Sequence, residues 1–558
     1  MASRLSSFLA ELKRRKVYRV AGAYVIVGAV LAGAANDILP RLGLPEWTVS
    51  FVVVLLLLGF PLAVALAWAY EVKPEEPREA EKASPPVIAP SYSERKSIVV
   101  LPFDNMSPDP GDSYFADGLT EEIISKLSHI RSLRVISRSS AMVLKGTQKD
   151  VRTIGKDLDV QYVLEGSVRK AGSDLRITAQ LIDADRDSHL WAENYEGVLE
   201  DVFGMQEAVA GSIVDQLALR LSPKEEKLLS ARPIRDVSAY QYYLRARVRI
   251  WEGTPEALAN AADDLQTALR LVGDNPLLFA GLGYVYFTKA NIGIEQDEAV
   301  KNAVQNAERA LELDPDCAEA EVVLGVSHGS FFGELRVGLE HLQRARQLDP
   351  NNPDAVFWLL IWSLTLGWMD QARELAELIV PLDPLSGLSY NAKADYLMFV
   401  GDFGLAADFH KLCFDMLPDS PLFLAFYAWG LAFAGRIDEL GTALEGGIPE
   451  DPSGMTRMAF LFEAAANKDQ QKVLSLISTD LEHYCHRDPW WSYFLSTILA
   501  NVSERDRALG WLERAVDLGF INFPFLANTD PFLANLREEP PFQAIMERVK
   551  HEWENSEV

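Results

Sequence analysis

The longest apolar run in the chain, Thr48 to Ala69 (TVSFVVVLLLLGFPLAVALAWA), holds 22 residues without a charge. A helix of that length spans about 30 Å, the thickness of a bilayer's hydrocarbon core. Trp47, Trp68 and Tyr70 flank the run, as amphipathic rings do at membrane interfaces. Upstream, Val20 to Asn36 is a second uncharged run of 17 residues, which Leu39 extends past Asp37. Its Gly28 and Ala32, and its Ala29 and Gly33, are small residues four apart, a spacing that lets another helix approach closely. The pattern predicts a basic segment over 1–19 and a two-helix transmembrane hairpin over 20–70, with spans 20–39 and 48–70. Arg14, Arg15 and Lys16 then stay on the cytoplasmic face, and two crossings return the soluble body to that face. If Val20 to Asn36 instead lies in the interface, the body is on the other side.

Residues 71–96 carry Pro74, Pro77, Pro85, Pro86 and Pro90 among glutamates and lysines, with no apolar period, and read as a semi-extended linker. From Ser97 the pattern alternates between strand and helix. Strands are expected at Ser97–Phe103, Leu133–Ser137, Tyr162–Arg169, Asp174–Ile182 and His189–Tyr195. Helices are expected at Asp117–Ile130, capped by Asp117, at Val151–Leu158 and at Val202–Leu221. This predicts one α/β domain over 97–221 and a connector over 222–237.

Beyond the connector the pattern is purely helical and repeats. Asn275-Pro276, Asp314-Pro315, Asp349-Pro350, Asp383-Pro384 and Leu417-Pro418 recur with proline steps of 39, 35, 34 and 34 residues, each taken to end a helical stretch. A period near 34 is that of the tetratricopeptide (TPR) repeat, whose helix pairs need small residues where they touch. Ala372 and Ala406 each follow a glycine by five, and Ala508 with Ala515 marks a last pair. The expectation is a TPR array over 238–520 with a cap over 521–558, its phase unsettled between 436 and 490.

Charge sharpens this picture. The net charge is −27, and because the first 20 residues are basic the rest is more acidic still. Such a body repels phosphate, so no nucleic-acid partner is expected, while the basic start suits anionic lipid headgroups. Cys317, Cys413 and Cys485 are too few and scattered for a disulfide framework. His483, Cys485 and His486 offer too few ligands for a metal site. Asp183, Asp185 and Asp187 alternate as a calcium loop begins, but Ser188 and Asn194 stand where glycine and glutamate are needed, so a hairpin turn is expected. Phosphate-loop, nucleophile-elbow, HExxH and paired CxxC patterns are missing, so no enzyme activity, catalytic residue, metal or cofactor is expected. Glu121 and Glu122 read as acidic residues favoured at a helix N-terminus.

The segments SIVVLPFDNMS, YFADGLTEEI, LDVQYVLEGSVRK, LRITAQLIDA, HLWAENYEG and DVFGMQEAVA come in the order of the TolB amino-terminal-like (FlgO-like) module, which 97–221 resembles. The start (ELKRRKVYRVAGAY, LGLPEW) and the end (WLERAVDLGF onward) are similar to bacterial membrane-anchored proteins that join this module to TPR repeats. The resemblance implies a multidomain fold class: a transmembrane hairpin, an α/β domain, then an all-α TPR superhelix, in a multi-pass protein of the bacterial inner membrane. Some relatives carry a nucleotide cyclase or winged-helix domain in front, for which this chain is expected to lack room.

The function that fits these observations is a membrane-tethered, regulatory or signalling scaffold that binds a protein or peptide in its TPR groove. Trp358, Trp362, Tyr427 and Trp429 are candidate groove aromatics, each weighed against core packing. An alternative is a small-ligand sensor in which the turn at Asn105 and the helix start at Asp117, Gly118 and Thr120 hold an anion by backbone N–H groups. An enzyme related to nucleotide cyclase systems is the third reading. Homo-oligomerisation is left open.

Overall fold

The computed structural model describes residues 95–232, 234–292, 294–445 and 455–556, together with Thr48. The chain divides into two units, Met1–Ile88 and Ala89–Val558. Both expected spans (Thr48 apart) and the interface residues Arg14, Arg15, Lys16, Trp47, Trp68 and Tyr70 lie outside the described residues, as does the linker up to residue 94. Among the described residues no helix is long and apolar enough to cross a membrane.

Strand β1 (Lys96–Val100) buries four of its five residues because it lies inside the sheet, parallel to β3 (Leu133–Val135) on one side and β4 (Tyr162–Ala171) on the other. The expected strand from Ser97 to Phe103 is therefore shorter. Pro102 cannot donate to a ladder, and pairing resumes only at the two-residue β2 (Asp104–Asn105), alongside β4. Antiparallel β5 (Asp174–Asp183) and β6 (Ser188–Val198) complete the order β3-β1-β4-β5-β6. The aspartate-rich stretch at 183–187 is the β5–β6 turn, with Asp187 at φ 52°. Charged, mostly exposed β6 blunts the sheet edge against further pairing.

Helix α1 (Ser113–Ser128) carries the chain from β2 to β3 and starts four residues before the expected Asp117. Phe115 and Leu119, one turn apart, are fully buried, so core packing draws the first turn upstream of the polar residues that resembled a cap. Asp117 sits inside the helix and pairs with Lys145 at 2.6 Å. Helices α2 (Arg138–Val143), α3 (Val151–Asp157) and α4 (Val202–Gln216) follow. The expected connector contains a helix, α5 (Pro223–Leu229), opened by a capping box between Ser222 and Glu225.

Helix pairs then stack from Val237 onward: α6 (Val237–Glu252) with α7 (Pro255–Val272), α8 (Pro276–Asn291) with α9 (Gln296–Leu313), and α10 (Ala318–Phe331) with α11 (Leu335–Leu348). They continue as α12 (Pro353–Leu366) with α13 (Met369–Leu382), α14 (Gly387–Val400) with α15 (Phe403–Met416), and α16 (Pro421–Ala434) with the shortened α17 (Ile437–Ala443). Beyond residues 446–454 come α18 (Met455–Ala466), α19 (Gln470–Leu476), α20 (Thr479–Cys485), α21 (Pro489–Asn501), α22 (Arg505–Asp517) and α23 (Pro540–Glu554). A small α/β sheet region followed by a TPR-like helical superhelix is thus the architecture. Gly367, Gly401 and Gly435 end the first helix of three successive pairs in the left-handed conformation, φ 77°, 86° and 70°, where any side chain would be strained.

The proline beat is real but mixed in phase. Asp314, Asp349, Asp383 and Leu417 each cap the end of a second helix, as expected. Asn275-Pro276 instead begins a first helix: Asn275 accepts from the Leu277 and Leu278 N–H groups and Pro276 takes the first position. The step of 39 therefore runs from a helix start to a helix end, and the α8–α9 pair is itself longer than the pairs that follow it.

The α/β module is seated on these Asp-Pro turns. Asn351 donates to the Ser128 and Leu133 carbonyls at 2.7 and 3.0 Å. Asp383 accepts from the hydroxyls of Ser137, Ser139 and Ser140, the last two at 2.8 and 2.5 Å. Ser137 N–H donates to the Leu382 carbonyl and Arg134 to that of Pro381. The apolar core of the module runs on into the first pairs, through Leu244, Leu258 and Leu282. A Cβ on Gly118 would come within 2.8 Å of Leu244, so α1 and α6 meet at glycine distance.

Candidate functional site

The first helices of successive pairs line the inside of the curve, where a cavity of about 1580 Å³ opens. Its wall is aromatic because each inward position recurs one turn on. Phe357 and Ile361 line it, as do Trp358 and Trp362, whose rings stack at 5.4 Å, and Leu422 and Phe426. Phe331 and Phe332 from the end of α10 and Trp490 and Trp491 from α21 complete it.

Of the four aromatics singled out in the sequence, the structure brings Trp358 and Trp362 to this groove. Tyr427 and Trp429 are not among its lining residues. Tyr427 follows the groove-facing Phe426 and so points about 100° away, stacking on Phe414 at 5.7 Å. Trp429 is 0% exposed, enclosed by Phe399, Phe426, Trp490 and Phe494. Core packing wins at both positions. Phe332, Phe426 and Arg457 were missed; the i, i+4 pairing of Leu422 with Phe426 was the available signal.

A polar cluster is buried at the base. Asn391 donates to Asp395 at 2.9 Å, and His410 Nε2 faces the same carboxylate at 3.3 Å. Burial pushes the Asp395 carboxyl above its usual range, against the opposing pull of His410 and Asn391. The remaining oxygen of Asn391, Oδ1, is buried without a hydrogen-bond partner, and Asn391 lines the cavity.

The candidate anion turn is not assembled. Asn105 Oδ1 accepts from Ser107 N–H at 3.0 Å within its own turn. Thr120 accepts from Phe103 N–H and donates to the Ala116 carbonyl, and Gly118 is covered by Leu244. With the helix starting at Ser113, the N–H groups of 117–120 are spent inside α1. Among the described residues no group of three or more His, Cys, Asp or Glu is placed to hold a metal ion. Cys485 is buried, and burial pushes its thiol up.

A smaller cavity of about 280 Å³ lies where α1 meets the array. Glu121, eight residues into α1 and so far from the helix start assumed for it, is held by Arg138 at 2.7 Å and Arg247 at 2.6 Å. Burial would raise its pKa, but the two guanidiniums prevail and hold it below the usual range. Arg247 reaches on to Glu319 at 2.6 Å, joining module and array. Glu122, beside it, has no such partner, and burial pushes it up to about 7. Burial likewise raises the Cys317 thiol to about 12, which keeps it protonated and unreactive.

Residues 94–209 match the family model described as "HilA/YgeH-like transcriptional regulator, second domain". Among curated proteins, "Putative adenylate cyclase 3" of Rhizobium meliloti (strain 1021) is 44% identical over 183 residues, which are 33% of this chain and 30% of that protein. The chain therefore spans less than a third of that relative's length. Among solved structures, a tetratricopeptide repeat protein from Parabacteroides merdae is 12% identical and covers 50% of this chain and all of its own, at a TM-score of 0.31. Lipoprotein GNA1162 from Neisseria meningitidis is 18% identical, covering 22% of this chain and 99% of its own, at a TM-score of 0.18.

Proposed function

We propose that this chain is a membrane-tethered interaction scaffold whose helical array receives a segment of a protein partner in its concave groove. The observation that carries this reading is the groove itself, about 1580 Å³ with stacked Trp358 and Trp362 on its wall and the unpartnered Asn391 oxygen at its base. Rigid aromatic anchors beside one buried polar acceptor suit an extended peptide that inserts apolar side chains and donates a main-chain N–H. The role is regulatory: the match over 94–209 to a transcriptional-regulator domain supports it, and the segment order of a TolB-N/FlgO-like module agrees. The tether is the apolar hairpin of 20–39 and 48–70, which places the body in the cytoplasm beside the inner membrane.

Catalysis forms no part of this reading, although one relative bears a cyclase's name; purified full-length chain that turned over a nucleotide would overturn it. A photo-crosslinking residue at Trp358 in native membranes should capture a discrete protein band that Phe426→Asp abolishes. Capture of nothing above background at Trp358, Phe332 and Phe426 alike would sink the scaffold. Paired reporters fused after Lys96, one active in the cytoplasm and one outside it, test the tether, and an external signal would reverse the topology.

The small-ligand sensor keeps one specific support, the cavity of about 280 Å³ between module and array, with the desolvated Glu122 in its wall. Its ligand would have to enter there and not at Asn105 and Asp117.

A further inference from the structure

The groove is not uniform in charge. At its N-terminal end Asp297 and Lys301 stand one turn apart on α9 and offset each other. At its C-terminal end three guanidiniums, those of Arg457, Arg487 and Arg514, face two carboxylates. Arg457 and Arg487 are exposed and form no ion pair with any described residue. Arg514 spends its Nε on the His486 carbonyl at 2.8 Å, which leaves its outer nitrogens pointing on from the α20–α21 turn.

The two acids offset the three guanidiniums only in part. Asp488 is consumed as the cap of α21, accepting from the N–H groups of Trp490 and Trp491 at 2.8 and 3.0 Å. Among the described residues only Asp480, exposed in the first turn of α20, remains as a free carboxylate at this end. An excess of cation beside aromatic walls, on a chain of net charge −27, is a local reversal of sign. The same cavity is lined by exposed apolar side chains: Phe332 is 50% exposed and Leu388 44% exposed.

We infer that the groove's occupant is an acidic peptide segment with aromatic or aliphatic anchors, its carboxylates held by Arg457, Arg487 and Arg514 at the C-terminal end. This rests on the reading of the groove as a peptide site. Guanidiniums pair with carboxylates through two parallel hydrogen bonds, while the apolar side chains of the same segment cover Phe332 and Leu388. The acidic surface elsewhere repels such a segment, so the groove end selects it by contrast.

The test uses the full-length chain in detergent micelles and a random 12-residue peptide library displayed on phage. Recovered peptides should be enriched in Asp and Glu together with Phe, Trp or Leu. Their recovery should fall at least tenfold in an R457E/R487E variant and on raising the salt, and should fall less in R457K/R487K, which keeps the charge but not the paired hydrogen bonds. Both positions are exposed, and circular dichroism confirms that the variants fold. Peptides that are neutral or basic, indifferent to R457E/R487E but lost in Phe332→Asp, would overturn the acidic specificity and leave the groove standing. No recovery above empty resin would overturn both.

Discussion

Glu122 sits in an environment that its position in the sequence does not suggest. It lies in α1 beside the ion-paired Glu121, with Lys126 pulling its pKa down and burial, Glu121 and Glu319 pushing it up, to about 7. In the unfolded chain a glutamate releases its proton near pH 4.5. Between those two values the folded chain holds a proton that the unfolded chain has lost, so stability falls as pH rises through this window and is lowest above it. Glu122→Gln carries no charge at any pH. The variant should melt like the wild type near pH 4.5 and be the more stable by ~1–3 kcal/mol above pH 7. Thermal melts of both proteins at pH 5 and pH 8 check this; an equal difference at the two pH values would place Glu122 in water. The sequence marked the same two carboxylates as ordinary helix-start residues, because the true start at Ser113 is set by burial of Phe115 and Leu119.

At the level of elements, strands and helix pairs were legible because their periods are local. The 34-residue beat and the β5–β6 turn could be read along the chain alone. What periodicity could not show is where two elements meet across more than two hundred residues. Asp383 reads as a repeat terminus, yet its carboxylate gathers three serine hydroxyls from the turn and helix after β3. Asn351, next in line, satisfies two carbonyls of the module. Module and array meet there along a seam whose chemistry is invisible until both sides are folded. Asp383→Ala strips an acceptor from buried hydroxyls and should cost ~2–4 kcal/mol at that seam. Hydrogen exchange should quicken selectively at residues 137–143, beginning with the Ser137 N–H bonded to Leu382, while the far repeats keep their protection. Uniform quickening along the whole array would mean that Asp383 serves the repeats and not the docking.

On the scale of the whole molecule, the expected cap over 521–558 does more than cover the last pair. Ile521 N–H donates to the Thr365 carbonyl at 3.0 Å and Asn522 to that of Leu364 at 2.7 Å. Trp490 reaches the Thr365 hydroxyl at 2.9 Å, and Trp553 the Gly367 carbonyl at 3.1 Å while stacking on Phe523. The array thus curls until its end touches its middle. Stacked repeats ordinarily unfold piecemeal, since each contacts only its neighbours. Here any pair between residues 367 and 521 must break the closing contact before it can open, which makes that arc one cooperative unit and fixes the width of the groove inside it. Trp553→Ala removes the stack and the hydrogen bond together, at a cost of ~2–4 kcal/mol for a partly buried indole. Chemical unfolding followed by tryptophan fluorescence should broaden, because the arc regains the freedom to open pair by pair. Peptide recovery in the groove should weaken even though Trp553 is not among its lining residues, since the wall carrying Trp358 and the wall carrying Trp490 would no longer be held at one distance. A sharp transition merely shifted to lower denaturant would show that closure adds stability without adding cooperativity.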